Sequence, residues 1–248
     1  MRKFRITVRP IVAGAIILAA AGCFNALRQK PGIPESPPVT VEDRAVGEQL
    51  RDELLSRYPE DTQPEDRQQV LGVTSRLLDA AGDPNGWNIT IFQDGAEVNA
   101  AASRGKQIFI WTGLLDAVNN DEELSTVLGH EIGHVLADHV ADVQFGAQYS
   151  AEEEYEADRI GLLLMAEAGY DPKKALLFWQ RIAAAAGPNS SPVIGIPVTG
   201  SPKNPGEPAG AEVFLSTHPS SEKRIRRIQA ELAGAEERYQ YAEGGRTH

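Results

Sequence analysis

The sequence predicts an α+β fold that is mostly helical with one small sheet. Several stretches carry apolar residues at helical spacing among charges, and only two short runs are β-branched and aromatic. Helical stretches lie on both sides of those two runs, so the order is two helices, a small sheet, then further helices. At 248 residues the chain is long enough for one sizeable domain with its own core.

The first element is an address. Residues 1–22 open with Arg2, Lys3, Arg5 and Arg9, continue in the apolar run Ile11 to Gly22, and are followed by Cys23. That run falls short of the ~20 residues a membrane-spanning helix needs. The pattern Ala20-Ala21-Gly22-Cys23 resembles a lipoprotein signal peptide, which implies cleavage before Cys23 and lipid attachment to it. The expected division is a signal peptide over 1–22, a lipidated cysteine with a proline-rich tether over 23–40, and the main folded domain over 41–248. The tether reading rests on Pro31-Gly32-Ile33-Pro34-Glu35-Ser36-Pro37-Pro38, a composition suited to an extended spacer.

Residues 41–58 and 65–82 read as amphipathic helices, the second stopped by Gly82-Asp83-Pro84-Asn85-Gly86. Trp87 to Phe92 and Gln107 to Trp111 read as strands. A helix is expected from Asp121 to about Val143, with Asn120 and Glu123 placed as a capping box. Ser150 and Glu153 form a second such pair and open a helix that ends near Gly169. Asp171 and Pro172 suit the cap and first position of the next, which runs to about Ala186. Between residues 187 and 210, eleven of 24 residues are Gly or Pro, the composition of a long loop. A basic helix from about Pro219 to Tyr239 closes the chain.

Charge and cysteine usage narrow the function. The formal net charge is −11, and residues 1–22 hold four basic residues and no acid, so the remainder carries −15. Such an acidic surface argues against nucleic acid as a partner. Cys23 is the sole cysteine, which excludes an intramolecular disulfide and leaves no thiolate for catalysis or metal binding in the domain. A metal ion would have to be held by histidines and carboxylates.

The sequence offers such a set. His130-Glu131-Ile132-Gly133-His134 lies inside a helical stretch, and residues four apart on a helix differ by about 40°, so both imidazoles leave one face and can share one ion. Glu131 stands beside the ion without being drawn into ligation. A third ligand is needed, and Glu154 on the following helix offers it, with Asp158 one turn later on the same face and suited to accept a ligand's other ring N–H. Glu152 and Glu153 compete for the ligand role, but first-turn acids are already explained by capping and the helix dipole. Glu156 reads as solvated. His139 does not fit the alternative His-Glu-x-x-His-x-x-Gly-x-x-His pattern, since Ala137 and Val140 stand where Gly and His are required.

Four separated motifs, Leu128 to His134, Glu154 to Gly161, Ala168 to Pro172 and Thr217-His218-Pro219, together with Asn99-Ala100 and Gly105, resemble the zinc metalloproteases that include the CAAX prenyl protease and HtpX. The likeness spans roughly residues 41 to 232 and leans toward that family's soluble bacterial envelope branch, the BepA-like and LoiP-like lipoproteins. It implies a zincin-type (gluzincin) domain holding one zinc ion per chain, with His130, His134 and Glu154 as ligands, Glu131 as general base and Asp158 behind the ligands. It also implies His218 near the substrate carbonyl, Arg224 close by and backing the ligands together with Asp158, and an edge strand, Gln107 with Ile108, Phe109 and Ile110, that pairs with an extended substrate.

Several expectations follow from the resemblance. The substrates are unfolded or misassembled envelope polypeptides, and the membrane is reached through the lipid at Cys23. The location is the bacterial envelope, at the outer membrane facing the periplasm. The competing reading is a non-proteolytic chaperone or binding lipoprotein with a structural zinc; it is disfavoured because Glu131 is kept beside all three ligands. His218, just before the helix that Pro219 starts, is expected to be neutral near pH 7 and able to occupy the metal at rest or donate one hydrogen bond to the oxyanion.

Overall fold

The computed structural model describes residues 30–103, 105–140, 149–186 and 222–246. Cys23, residues 1–22, the Gly/Pro-rich stretch and His218 lie outside them. The described residues form seven helices and one three-stranded sheet. None of these helices is long and apolar enough to cross a membrane.

Helix α1 (Val41–Leu55) starts at a reciprocal capping box: Asp43 N–H donates to Thr40 Oγ1 at 3.0 Å and Thr40 N–H to Asp43 Oδ2 at 2.8 Å. Helix α2 (Pro64–Ala80) has Pro at its first position, where no N–H is required, and buries Val70, Val73 and Leu77 on one stripe. Next come β1 (Asn88–Phe92), β2 (Ala100–Ser103) and β3 (Gln107–Trp111), then a short helix α3 (Thr112–Ala117). Helix α4 (Asp121–Leu136) carries the His-Glu-x-x-His motif, α5 (Ala151–Ala168) the acidic one, and α6 (Lys173–Ala186) and α7 (Glu222–Arg246) complete the set.

The sheet corrects one expectation. Its order is β1-β3-β2, with β3 parallel to β1 and antiparallel to β2, so Gln107, Ile108, Phe109 and Ile110 form the central strand and not an edge. All five β3 residues are buried. Ile108-Phe109-Ile110-Trp111 is continuously apolar, as befits a strand covered on both faces, but its place between β1 and β2 is set by backbone pairing along both of its edges. The strand flanking the helix that carries the His-Glu-x-x-His motif is β2, which packs against α4 and among the described residues pairs only with β3.

The tether also needs correction. Residues 30–33 lie against the domain: Ile33 is buried in the main core, Arg159 donates to the Gly32 carbonyl at 3.0 Å, and Lys30 pairs with Glu167 at 2.7 Å. Proline limits the conformational entropy lost on docking such a segment, so one apolar anchor and a few polar ties hold it. The packed body therefore begins by residue 30, ahead of the expected boundary at 41.

Helix α4 is enclosed from Glu123 to Leu136. Its N-cap is half of the expected box: Asn120 Oδ1 accepts from Glu123 N–H at 2.9 Å, but the Glu123 carboxylate turns to the Asn119 backbone and side chain and to Arg181. The helix stops at Leu136, seven residues before the expected end. Asp138 takes a left-handed conformation (φ 62°), and His139 N–H donates to the His134 carbonyl at 3.0 Å while Asp138 N–H donates to Val135, which is a Schellman termination. The same reversal ends α5, where Gly169 (φ 79°) fills the left-handed position that an aspartate fills in α4.

Ahead of β2, the Glu97 carboxyl is largely buried, receives the Asn99 side-chain amide at 3.1 Å, and is pushed up to about 7 by burial, with the charge of Asp94 adding to the shift. A carboxyl whose folded value exceeds its unfolded one makes folding progressively less favourable as pH rises from about 4.5 to 7, because the folded state binds the extra proton there. Glu97→Gln keeps the acceptor without the charge. It is expected to raise the midpoint of urea unfolding at pH 8 by the equivalent of about 1 kcal/mol, a value discounted for partial solvation, and to have no effect at pH 4.5. Equal shifts at both pH values would exclude ionisation of Glu97 as the cause.

Candidate metal centre

Helices α4 and α5 cross at small residues. A Cβ on Gly133 would meet the Ala157 carbonyl oxygen at 2.8 Å, and one on Gly161 would meet the His130 nitrogen at 3.0 Å. That backbone approach lets side chains from the two helices converge within one or two bond lengths of a common point.

His130, His134 and Glu154 converge there, each at most 2% exposed. The two Nε2 atoms are 3.0 Å apart, and each lies 3.5 Å from a Glu154 oxygen. Tetrahedral coordination with bonds of ~2.0–2.1 Å needs donors ~3.3–3.4 Å apart, so the spacing and the two-imidazole, one-carboxylate donor set fit a zinc-sized ion. Glu131 is buried at the next position on α4. Tyr149, unremarked in the sequence, stacks on His134 with ring centres 3.8 Å apart and planes 19° from parallel. Its hydroxyl is held in the protonated form by burial and by the charges of Glu131 and Glu154.

Support behind the ligands differs from one histidine to the other. Asp158 Oδ1 lies 2.9 Å from His130 Nδ1, fixing the proton on that nitrogen and leaving Nε2 as the donor. Arg224, from the first turn of α7, donates to both Asp158 oxygens at 2.7 Å and pairs with Glu154 at 3.1 Å. Its guanidinium lies 3.8 Å over the Trp179 ring and is 1% exposed. Arg224 thus sits behind Glu154 and Asp158. Arg224, Ile228, Leu232 and Ala235 form the buried stripe of α7, and the arginine is drawn inward with it.

The electrostatics follow from this arrangement. Burial and the neighbouring guanidinium push His130 down to about 4, so it is neutral, as a ligand must be. Burial opposes the charge of Asp158, yet Arg224 and the hydrogen bond with His130 hold its carboxyl below the ordinary range. Arg224 is raised in turn: burial opposes it, and Asp158 and Glu154 outweigh that penalty.

Glu156 and His139 occupy places that helical periodicity did not give. His139 Nδ1 lies 2.9 Å from His134 Nδ1, and its Nε2 lies 3.4 Å from Glu156. Glu153 is the α5 capping partner of Ser150, consistent with the role that sequence position assigned it.

Comparison with known proteins agrees with this geometry. The family model for peptidase family M48 matches residues 62–145 and 140–232, together more than half of the chain. The mitochondrial metalloendopeptidase OMA1 of Schizosaccharomyces pombe is 27% identical over 78% of this chain and 62% of its own length. OMA1 of Arabidopsis thaliana is 31% identical over 65% of this chain and 35% of its own. The beta-barrel assembly-enhancing protease of Yersinia pestis is 24% identical over 70% of this chain and 44% of its own. The chain thus covers less than two thirds of the length of each of these relatives. With the helical fold, the small sheet and the His130, His134 and Glu154 cluster in place, the match establishes that this chain belongs to peptidase family M48.

Proposed function

We propose that the protein is a zinc-dependent endopeptidase, tethered by lipid at Cys23 in a bacterial envelope, that hydrolyses misfolded or unassembled envelope proteins. The observation that carries the peptidase reading is the buried triad of His130, His134 and Glu154 with Glu131 beside it. Zinc held there would lower the pKa of a water to about 7 and polarise the scissile carbonyl. Glu131 takes the proton of the attacking water and returns it to the leaving amine. Asp158 and Arg224 keep His130 and Glu154 in place through the cycle.

An extended substrate is received along β2 in place of the strand first expected to receive it, because β2 borders α4 and its second side has no partner among the described residues. Main-chain pairing of that kind tolerates varied side chains, which suits unfolded polypeptides. The envelope assignment rests on the lipoprotein-like signal and on the name of the Yersinia relative, a protease that enhances β-barrel assembly.

The purified chain is expected to bind about one zinc and to digest an unfolded protein such as casein, with activity removed by a chelator and restored by zinc. Glu154→Ala should lose most of the zinc, whereas Glu152→Ala should keep it; a sensitive Glu152 would displace Glu154 as the ligand. The anchor is tested independently. Mass spectrometry of the native protein should find Cys23 diacylated or triacylated, and Cys23→Ser should block both lipidation and signal cleavage, whereas a cleaved Cys23 without lipid would remove the anchor.

A further inference from the structure

His130 and His134 are held in different ways. His130 is backed directly by a buried carboxylate, Asp158, which Arg224 clamps. Behind His134 stands a second imidazole, His139, at 2.9 Å between Nδ1 atoms, and behind that the half-exposed Glu156 at 3.4 Å. His139 reaches this position because α4 ends in the left-handed turn at Asp138; on a continued helix it would project about 140° away from His134.

The proton arrangement follows from the donor inventory of imidazole. For His134 Nε2 to bind a metal, its single proton must sit on Nδ1. That N–H faces His139 Nδ1, which can accept only if it is bare, so the His139 proton sits on Nε2 and points at the Glu156 carboxylate. Every link then has one donor and one acceptor. We propose that His139 is a positioning residue for the metal centre: it accepts the Nδ1–H of His134, fixes the ring tautomer that presents Nε2 to the metal, and is itself oriented by Glu156. This rests on the metal-centre reading above.

The test uses the full chain and reads zinc affinity by competition with a chromogenic chelator, alongside thermal unfolding of the metal-free protein. His139→Leu removes the acceptor. His139→Asn places an amide oxygen near the position of the lost Nδ1. The leucine variant is expected to bind zinc about 10–100-fold more weakly, the usual effect of losing such support, and the asparagine variant to recover most of that loss. Glu156→Gln should weaken binding by less than the leucine change, because its oxygen can still accept. If His139→Leu binds within about twofold of wild type, or His139→Asn is as weak as His139→Leu, the proposal is overturned.

Nitrogen-15 spectra of the zinc-loaded wild type, with only five histidines to assign, give a reading that needs no variant to fold. His134 should be protonated at Nδ1 and His139 at Nε2, and a proton on His139 Nδ1 would overturn the assignment. A wild-type chain that binds no zinc would fail the metal centre itself. A wild type that binds zinc alongside an indifferent His139→Leu would fail this inference alone.

Discussion

Glu131→Gln is expected to retain zinc and to lose proteolysis by about 10²–10⁴-fold, the range for a positioned general base. The expectation follows from where the side chain stands. Glu131 is buried beside His130 on α4, yet the cluster of possible ligand atoms is made by His130, His134 and Glu154 without it. Glutamine preserves its size and shape but cannot take a proton, so the effect should appear in kcat with little change in KM. Metal content and kcat on one unfolded substrate, compared with wild type at the same pH, decide the matter. Wild-type turnover in the variant would remove Glu131 from the chemistry, and loss of zinc would make it a ligand.

Much of this centre was legible in the sequence because its parts are local. The i, i+4 spacing of His130 and His134 fixes a shared face wherever that stretch is helical, and Asn120 and Ser150 mark where the two helices begin. Glu154 and Asp158 share a face for the same reason. What escaped were features set by tertiary context. Strand β2 is Ala100-Ala101-Ala102-Ser103, residues with little strand preference that are held by pairing with β3. Helix α3 is six residues long and has no side-chain cap, so it left no boundary signal. The left-handed Asp138 ends α4 where the apolar period still runs on, and only that turn brings His139 beneath His134. The position of β3 among its neighbours was misread although its existence was not, because an uninterrupted apolar run shows burial without saying which strand is central.

Arg224→Met is expected to destabilise the metal-free protein by about 3–5 kcal/mol, the scale for removing one partner from a buried ion pair. The guanidinium is 1% exposed and faces two carboxylates that are nearly as buried, with Nη1 3.1 Å from Glu154 and two bonds of 2.7 Å to Asp158. Methionine fills much of the volume and can still pack on Trp179, so the loss reports the uncompensated charges. Arg224→Lys restores a charge but not the planar fork that meets both Asp158 oxygens, and it should fall between methionine and wild type. The pH dependence separates this from simple misfit. In the wild type Asp158 is held below the ordinary carboxylate range, so its stabilising contribution is present above the unfolded value of about 3.9 and fades as pH falls through the folded one. In the methionine variant both carboxylates shift upward and stability falls as pH rises. The gap between the two proteins should therefore be widest near pH 7–8 and narrow toward pH 4, and saturating zinc should recover part of it by binding only the folded state. Urea unfolding in chelator at pH 5 and pH 8 measures both quantities. A gap under about 1 kcal/mol at pH 8, or one that does not narrow in acid, would show that Arg224 does not hold the carboxylates of the metal centre in their charged form.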